Sequence, residues 1–296
     1  MKKKLRGAGV AIVTPFKNDL SVDFSALGRI VNHVVEGGIN YIVAMGTTGE
    51  SVTVTKDEKK AVISHIIESV NKRVPVIVGI GGNNTQEVIT TIKHSSFEGV
   101  DGILSVAPYY NKPSQRGIFQ HFNAIATCCP LPVIMYNVPG RTSCNISADT
   151  CLQLATECEN IIGIKEASGD MTQVMKIIRG KPDGFLVISG DDMLTLPIVS
   201  VGGAGVISVL ANAYPAECTE LVTNALKSNF KTAREIQLRF LEMTELLFTE
   251  GNPSGIKAIL NVMNLCQNTL RLPLVAVSRP TMSRIQKAVE EVKNLV

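Results

Sequence analysis

Tryptophan is absent and aromatic residues make up only 5% of the chain, whereas glycine is plentiful at 24 residues and short Val/Ile runs recur. That balance is poor for a β-sandwich and suits a parallel α/β protein. With 45% hydrophobic and 19% charged residues, disorder, collagen and coiled coil are also excluded. An excess of one charge is lacking too. The 29 basic and 26 acidic residues leave +3, with no long run beyond Lys2, Lys3 and Lys4, so no nucleic-acid partner is expected. No apolar stretch nears the roughly 18 residues needed to span a bilayer, because Gly, Pro, Asn or a charge interrupts each one; no membrane partner is expected. The start KKKLRGAGVAIVTPF imitates a leader, but no small-residue cleavage site follows, and Val10–Thr14 is expected to form a first strand. Cys128, Cys129, Cys144, Cys151, Cys158, Cys218 and Cys266 are odd in number and lack C-x-x-C spacing. Neither a disulfide framework nor a zinc ribbon fits, and a cytoplasmic, reducing location is expected.

Motifs for cofactors are missing as well. VGIGGNN (78–84) fails the G-x-G-x-x-G pattern at its last glycine, and no stretch has the spacing of a P-loop. His33, His65, His94 and His121 fall in expected helices with no H-E-x-x-H or carboxylate cluster nearby. No metal and no cofactor are expected.

What is present is a repeat. GVAIVT (9–14), YIVAMG (41–46), VPVIVGIG (74–81), GILSVAP (102–108), PVIMYNVP (132–139), IIGIKEAS (161–168), FLVISGDD (185–192) and AGVISVL (204–210) are apolar runs, each followed by a turn and a helix-period segment. That is the pattern of βα units whose parallel strands are buried on both faces. Eight units predict a closed (β/α)₈ TIM barrel rather than an open doubly wound sheet. Thr55 and Glu58 form a capping box opening a helix with Val62, Ile63, Ile66, Ile67 and Val70 on its apolar face, and Asp170 with Gln173 suggests a second box. After the eighth run, helices are expected over 215–228, 231–248, 254–266 and 281–295. The chain therefore divides into a barrel, 1–228, and a C-terminal helical extension, 229–296, packed on it without a linker.

In such a barrel the site lies at the C-terminal ends of the strands. Lys165 stands inside an apolar strand, and period-2 alternation places it with Ile161 and Gly163, opposite Ile162, Ile164 and Glu166. If that face is interior, burial favours the neutral amine that a Schiff-base nucleophile needs; a strand-end lysine in an ion pair is the other reading. Glu166, facing away, is its least suitable partner. Tyr136, on the adjacent strand, is in position to reach Lys165 as a proton relay, and Arg141 offers a fork for a carboxylate or phosphate; a core tyrosine and a solvated arginine remain open. The loop GTTGES (46–51) suits a small anion, or is an ordinary glycine-rich turn. Tyr109 and Tyr110 are adjacent aromatics at the rim.

GTTGE (46–50), PYYN (108–111), YNVPGRT (136–142) and GIKEASGD (163–170), in this order, resemble the dihydrodipicolinate synthases across the whole chain. The resemblance implies a lyase of the Schiff-base pyruvate aldolase superfamily, acting on pyruvate and L-aspartate 4-semialdehyde in the diaminopimelate route to lysine, with no cofactor. It implies that Lys165 forms the imine and that Tyr136, Thr47 and Tyr110 relay protons, Tyr110 reaching the site of a neighbouring subunit in a homodimer or homotetramer. Thr48 would hold the pyruvate carboxylate and Arg141 that of the semialdehyde, with Gly190 and Ile207 also contacting substrate. Ser51, Asn83, Glu87 and Tyr109 match positions of a cleft where lysine inhibits many members. Lys56 and Lys59 depart from that pattern and imply weak feedback. An N-acetylneuraminate lyase or sugar-acid aldolase is the alternative within the superfamily, and a silent oxoacid-binding barrel is the one outside catalysis.

Overall fold

Each of the eight apolar runs forms a strand: β1 Gly7–Ala11, β2 Tyr41–Ala44, β3 Val76–Gly79, β4 Gly102–Val106, β5 Val133–Asn137, β6 Ile161–Glu166, β7 Leu186–Ser189 and β8 Gly205–Ser208. The structure, a computed structural model, describes residues 1–293. Every strand pairs in parallel with its sequence neighbours, and β8 pairs with β1 to close the barrel. Short β-branched strands suit this architecture because both faces are dry. Inward side chains such as Tyr41, Val43, Ile77, Leu104, Ile134 and Ile188 fill the interior, with Leu5 from the segment before β1 among them.

Helices α1 Phe24–Glu36, α2 Lys56–Val70, α3 Thr85–Lys93, α4 Gln115–Cys128, α5 Pro139–Thr142, α6 Ala148–Glu157, α7 Met171–Gly180 and α8 Thr195–Ser200 fall between the strands; α9 Pro215–Leu226, α10 Phe230–Arg239, α11 Leu241–Phe248, α12 Ser254–Val262 and α13 Arg279–Lys293 follow. One apolar cluster runs from α1 and α2 to Leu246, Ile256, Ile259 and Ile285 of the last helices. None of the described helices is long and apolar enough to cross a membrane. The Thr55/Glu58 capping box opens α2 with both reciprocal bonds, and Val62, Ile66 and Val70 are buried along it.

Four local expectations need correction. The first strand starts at Gly7 and ends at Ala11 instead of spanning 10–14. Its glycines hide it in the sequence, yet a β-carbon on Gly9 would sit 2.3 Å from the Tyr41 ring, so the close approach of β1 to β2 requires a bare backbone. The expected helix 231–248 is two helices that meet at buried Phe240, whose ring packs 4.9 Å from that of Tyr214; the apolar period runs through the break and conceals it. Asp170 caps α7 through the Gln173 N–H, but the Gln173 side chain turns to Glu166 and Asn145, so the second box is only half made. On β6, Ile162 lies in the interior cluster and Ile161 packs outside. The register shifts between Val133 and Ile134 of β5, and this bulge resets the alternation that would have put Ile161 inside. Beyond it, Gly163 and Lys165 pair with the inward Ile134 and Tyr136, as the alternation predicts.

Candidate active site

A cavity of about 370 Å³ opens at the C-terminal ends of the strands, within the size range of small-molecule sites. Lys165 enters it from the end of β6 with 5% of its surface exposed. Strand register sets Tyr136 of β5 directly beside it, and the amine lies 4.2 Å from the centroid of the Tyr136 ring. Among the described residues, no carboxylate pairs with this lysine. Gly190 makes its placement possible: a β-carbon there would come within 2.9 Å of Lys165 Cε.

Glu166 is occupied elsewhere. Facing away from the cavity, it accepts hydrogen bonds from Asn137 at 3.1 Å, Gln173 at 3.0 Å and the Ser168 N–H at 2.8 Å. These bonds tie the ends of β5 and β6 to α7 and so steady the strand ends that carry Tyr136 and Lys165. In the sequence Asn137 carries no signal and Gln173 reads only as part of a helix cap, because a side-chain amide has no signature until its carboxylate partner is known.

Thr47, Thr48 and Arg141 line the same cavity. Thr48 is buried, and its hydroxyl accepts a hydrogen bond from the Asn252 side chain at 3.0 Å. The Asn252 carbonyl in turn accepts from Arg141 at 3.4 Å, so one residue joins the anion loop to the exposed arginine at the mouth. The N–H groups of Thr47 and Thr48 bond to no acceptor among the described residues, whereas those of Gly49 and Glu50 turn back to the carbonyls of Gly46 and Thr47. Two free donors and two hydroxyls at one turn are what a small carboxylate needs. Thr244, Glu245, Phe248 and Asn252 complete the wall. All four come from the region read only as packing, since nothing in a helical pattern says which residues reach over a barrel mouth.

Several expected residues stand apart. Ile207 is buried in the barrel interior, and Val209 lines the cavity in its place. Tyr110 lies outside the cavity of its own chain, 88% exposed and with φ at 73°. Tyr109 beside it and Val52 in the distant loop after β2 are exposed, Ser51 and Asn83 are half-buried, and Glu87 faces solvent. Lys59 is half-buried, and burial together with the charge of Lys56 pulls its ammonium below the usual range.

A sequence model of the dihydrodipicolinate synthetase family matches residues 4–292. A 4-hydroxy-tetrahydrodipicolinate synthase of Flavobacterium psychrophilum is 50% identical over 94% of this chain and 95% of its own length. A dihydrodipicolinate synthase of Acinetobacter baumannii, solved with pyruvate, superposes with a TM-score of 0.95 at 39% identity, covering 98% of this chain and 99% of that one. A related structure from Cyanidioschyzon merolae with lysine bound gives 0.94 at 37% identity, covering 98% and 99%.

Proposed function

We propose, from the premise that this chain belongs to the dihydrodipicolinate synthetase family, that Lys165 forms an imine with pyruvate as the first step of its reaction. The activity is that of a lyase, 4-hydroxy-tetrahydrodipicolinate synthase, which joins pyruvate to L-aspartate 4-semialdehyde. The observation that carries the roles is a buried lysine with no carboxylate partner among the described residues, set over Tyr136 at the end of β6. The free amine attacks the pyruvate carbonyl and water leaves. The imine then withdraws electrons so that the methyl group loses a proton, and the resulting carbon nucleophile adds to the aldehyde. Cyclisation of the product releases Lys165. Tyr136 and Thr47 relay the protons, and Thr48 with the free amides of its turn holds the pyruvate carboxylate. A coupled reductase that consumes the cyclic product tests the assignment; no signal with both substrates present would refute it.

Arg141 takes the semialdehyde carboxylate. It is exposed where it lines the cavity, and among the described residues its guanidinium makes one hydrogen bond, to the Asn252 carbonyl. Arg141→Ala is expected to weaken use of the aldehyde more than of pyruvate, by about 1.5–3 kcal/mol for a charge-assisted contact. Steady-state kinetics with each substrate varied in turn measure this, and an equal loss for both would make the arginine structural.

Tyr110 completes the site of a second copy of the chain. Its exposure, its left-handed backbone and the exposed ring of Tyr109 next to it in sequence support a homodimer, itself able to pair into a tetramer. Seven free thiols suit a cytoplasmic enzyme. Ser51, Asn83, Glu87 and Tyr109 line a cleft for lysine at that dimer contact, and Lys56 and Lys59 oppose its cationic ligand. Lys59 already feels the charge of Lys56, so a further ammonium adds to the repulsion even when screened by salt. Titration with L-lysine at saturating pyruvate is expected to show weak or no inhibition. Strong inhibition at submillimolar lysine would remove the argument from repulsion.

A further inference from the structure

Two charges are hidden where none of the chemistry above uses them. Glu50 closes the GTTGE turn, and Lys257 lies on α12, 207 residues away in sequence; both side chains are sealed from water, and the ammonium donates to the carboxylate. Both ends of the pair have further partners. The second carboxylate oxygen accepts the Arg271 N–H at 3.2 Å, while the ammonium donates to the Thr269 carbonyl at 2.9 Å and lies 4.1 Å from the Phe16 ring centroid. Glu50 holds φ at 51°, a left-handed conformation that a glutamate keeps only where its surroundings enforce it. Arg271 secures the far side of the same loop, donating to the Thr53 carbonyl at 2.9 Å and pairing with Glu58 in the first turn of α2.

Stability is a weak reason for burying such a pair. Removing two charges from water offsets most of their attraction, and apolar replacements of similar volume often fold as well or better. What the pair supplies is position. The turn 46–50 is fastened to the segment 252–257 at two points, Thr48 to Asn252 and Glu50 to Lys257, and Thr14 holds the Gly49 carbonyl between them at 2.7 Å. Neither charged residue lines the cavity, but Thr47 and Thr48, three and two residues before Glu50, do.

We propose that Glu50 and Lys257 are positioning residues: their ion pair latches the threonine turn in the geometry that receives the oxoacid carboxylate, so it sets affinity for pyruvate rather than the rate of chemistry at the imine. The proposal rests on the roles given above to Lys165, Thr47 and Thr48. Lys257→Met strands a buried carboxylate and is expected to lower both the melting temperature and pyruvate affinity. The decisive variant is the double one, Glu50→Gln with Lys257→Met, which keeps volume and the acceptor for Arg271 but removes both charges. Its melting temperature is expected to rise above that of Lys257→Met, because a neutral amide and the Thr269 carbonyl, rather than a charge, are left without their partners. Its pyruvate KM, and the pyruvate needed for half-maximal borohydride trapping at Lys165, are expected to stay raised by about tenfold or more, with kcat within about threefold. A double variant that regains the pyruvate KM along with its stability overturns the latch, as does one whose kcat falls as far as its affinity. If the unmodified protein takes no adduct at Lys165, the reading of the lysine falls first and the latch with it. Should the double variant fail to fold, hydrogen exchange on the unmodified protein decides. The Gly49 and Glu50 amides are expected to exchange as slowly without pyruvate as with it; fast exchange that pyruvate suppresses would mean that the ligand organises the turn, and the latch would be wrong.

Discussion

Lys165→Ala is expected to abolish the borohydride-trapped pyruvate adduct and, with it, turnover, by on the order of 10³-fold or more. The size of the effect follows from the absence of a substitute. Among the residues whose burial is described, Lys257 is the other deeply buried lysine, and it is committed to Glu50 and the Thr269 carbonyl. Among the described residues, Lys165 is the one lysine that lines the cavity. The fold should survive the change, because among the described residues the amine makes no ion pair whose partner would be left stranded. Peptide mass mapping after reduction with pyruvate measures the outcome. An adduct on another lysine, or full activity in the alanine variant, would remove the mechanism.

Tyr136→Phe is expected to give the second largest loss, about 10²–10⁴-fold in kcat, the usual worth of a positioned proton-transfer group. The variant is informative because of where the ring sits. It packs under the Lys165 amine at 4.2 Å and is itself buried in the interior cluster, so phenylalanine preserves the packing and deletes only the hydroxyl. Trapping at Lys165 should therefore still occur, at a lower rate, while the complete reaction is crippled. Among the described residues, the Tyr136 and Thr47 hydroxyls do not hydrogen-bond to each other, and catalytic contacts of this kind often tighten only with substrate in place. Rapid-mixing single-turnover measurements separate imine formation from the later steps. A loss below about tenfold in both would make Tyr136 a packing residue, since proton transfer normally accounts for more than that.

Much of the architecture was legible because it is written in local pattern. Eight β-branched runs between helix-period segments specify parallel strands buried on both faces, and closure follows from their number and even spacing. Lys165 was legible for a related reason, a charge inside an apolar run being conspicuous in one dimension. Features that depend on a neighbour were not. The reset of alternation at Ile161 and Ile162 is decided by the register against Val133 and Ile134, which no single strand reveals. Phe240 stands at a break in a continuous helical period, and the ring of Tyr214 that it packs against lies far off in sequence. Asn252 reads as a turn residue until the chain brings it over the barrel to Thr48 and Arg141. Glu50 reads as a turn residue too, and its partner lies in a helix whose apolar pattern gives no hint that the lysine within it is buried.

The 207 residues between Glu50 and Lys257 also measure time during synthesis. At a typical elongation rate of about 5–20 residues per second, roughly 10–40 s pass between the ribosome's addition of the glutamate and of its lysine. Through that interval the carboxylate belongs in water, and the turn that carries it has no reason to settle against the barrel mouth. The strands of the nascent chain can pair as they emerge, but Asn252, Lys257 and Arg271, which fasten the threonine turn, are made after all eight of them. A polypeptide released early, short of Thr244, would hold Lys165 and Tyr136 without the wall that encloses them.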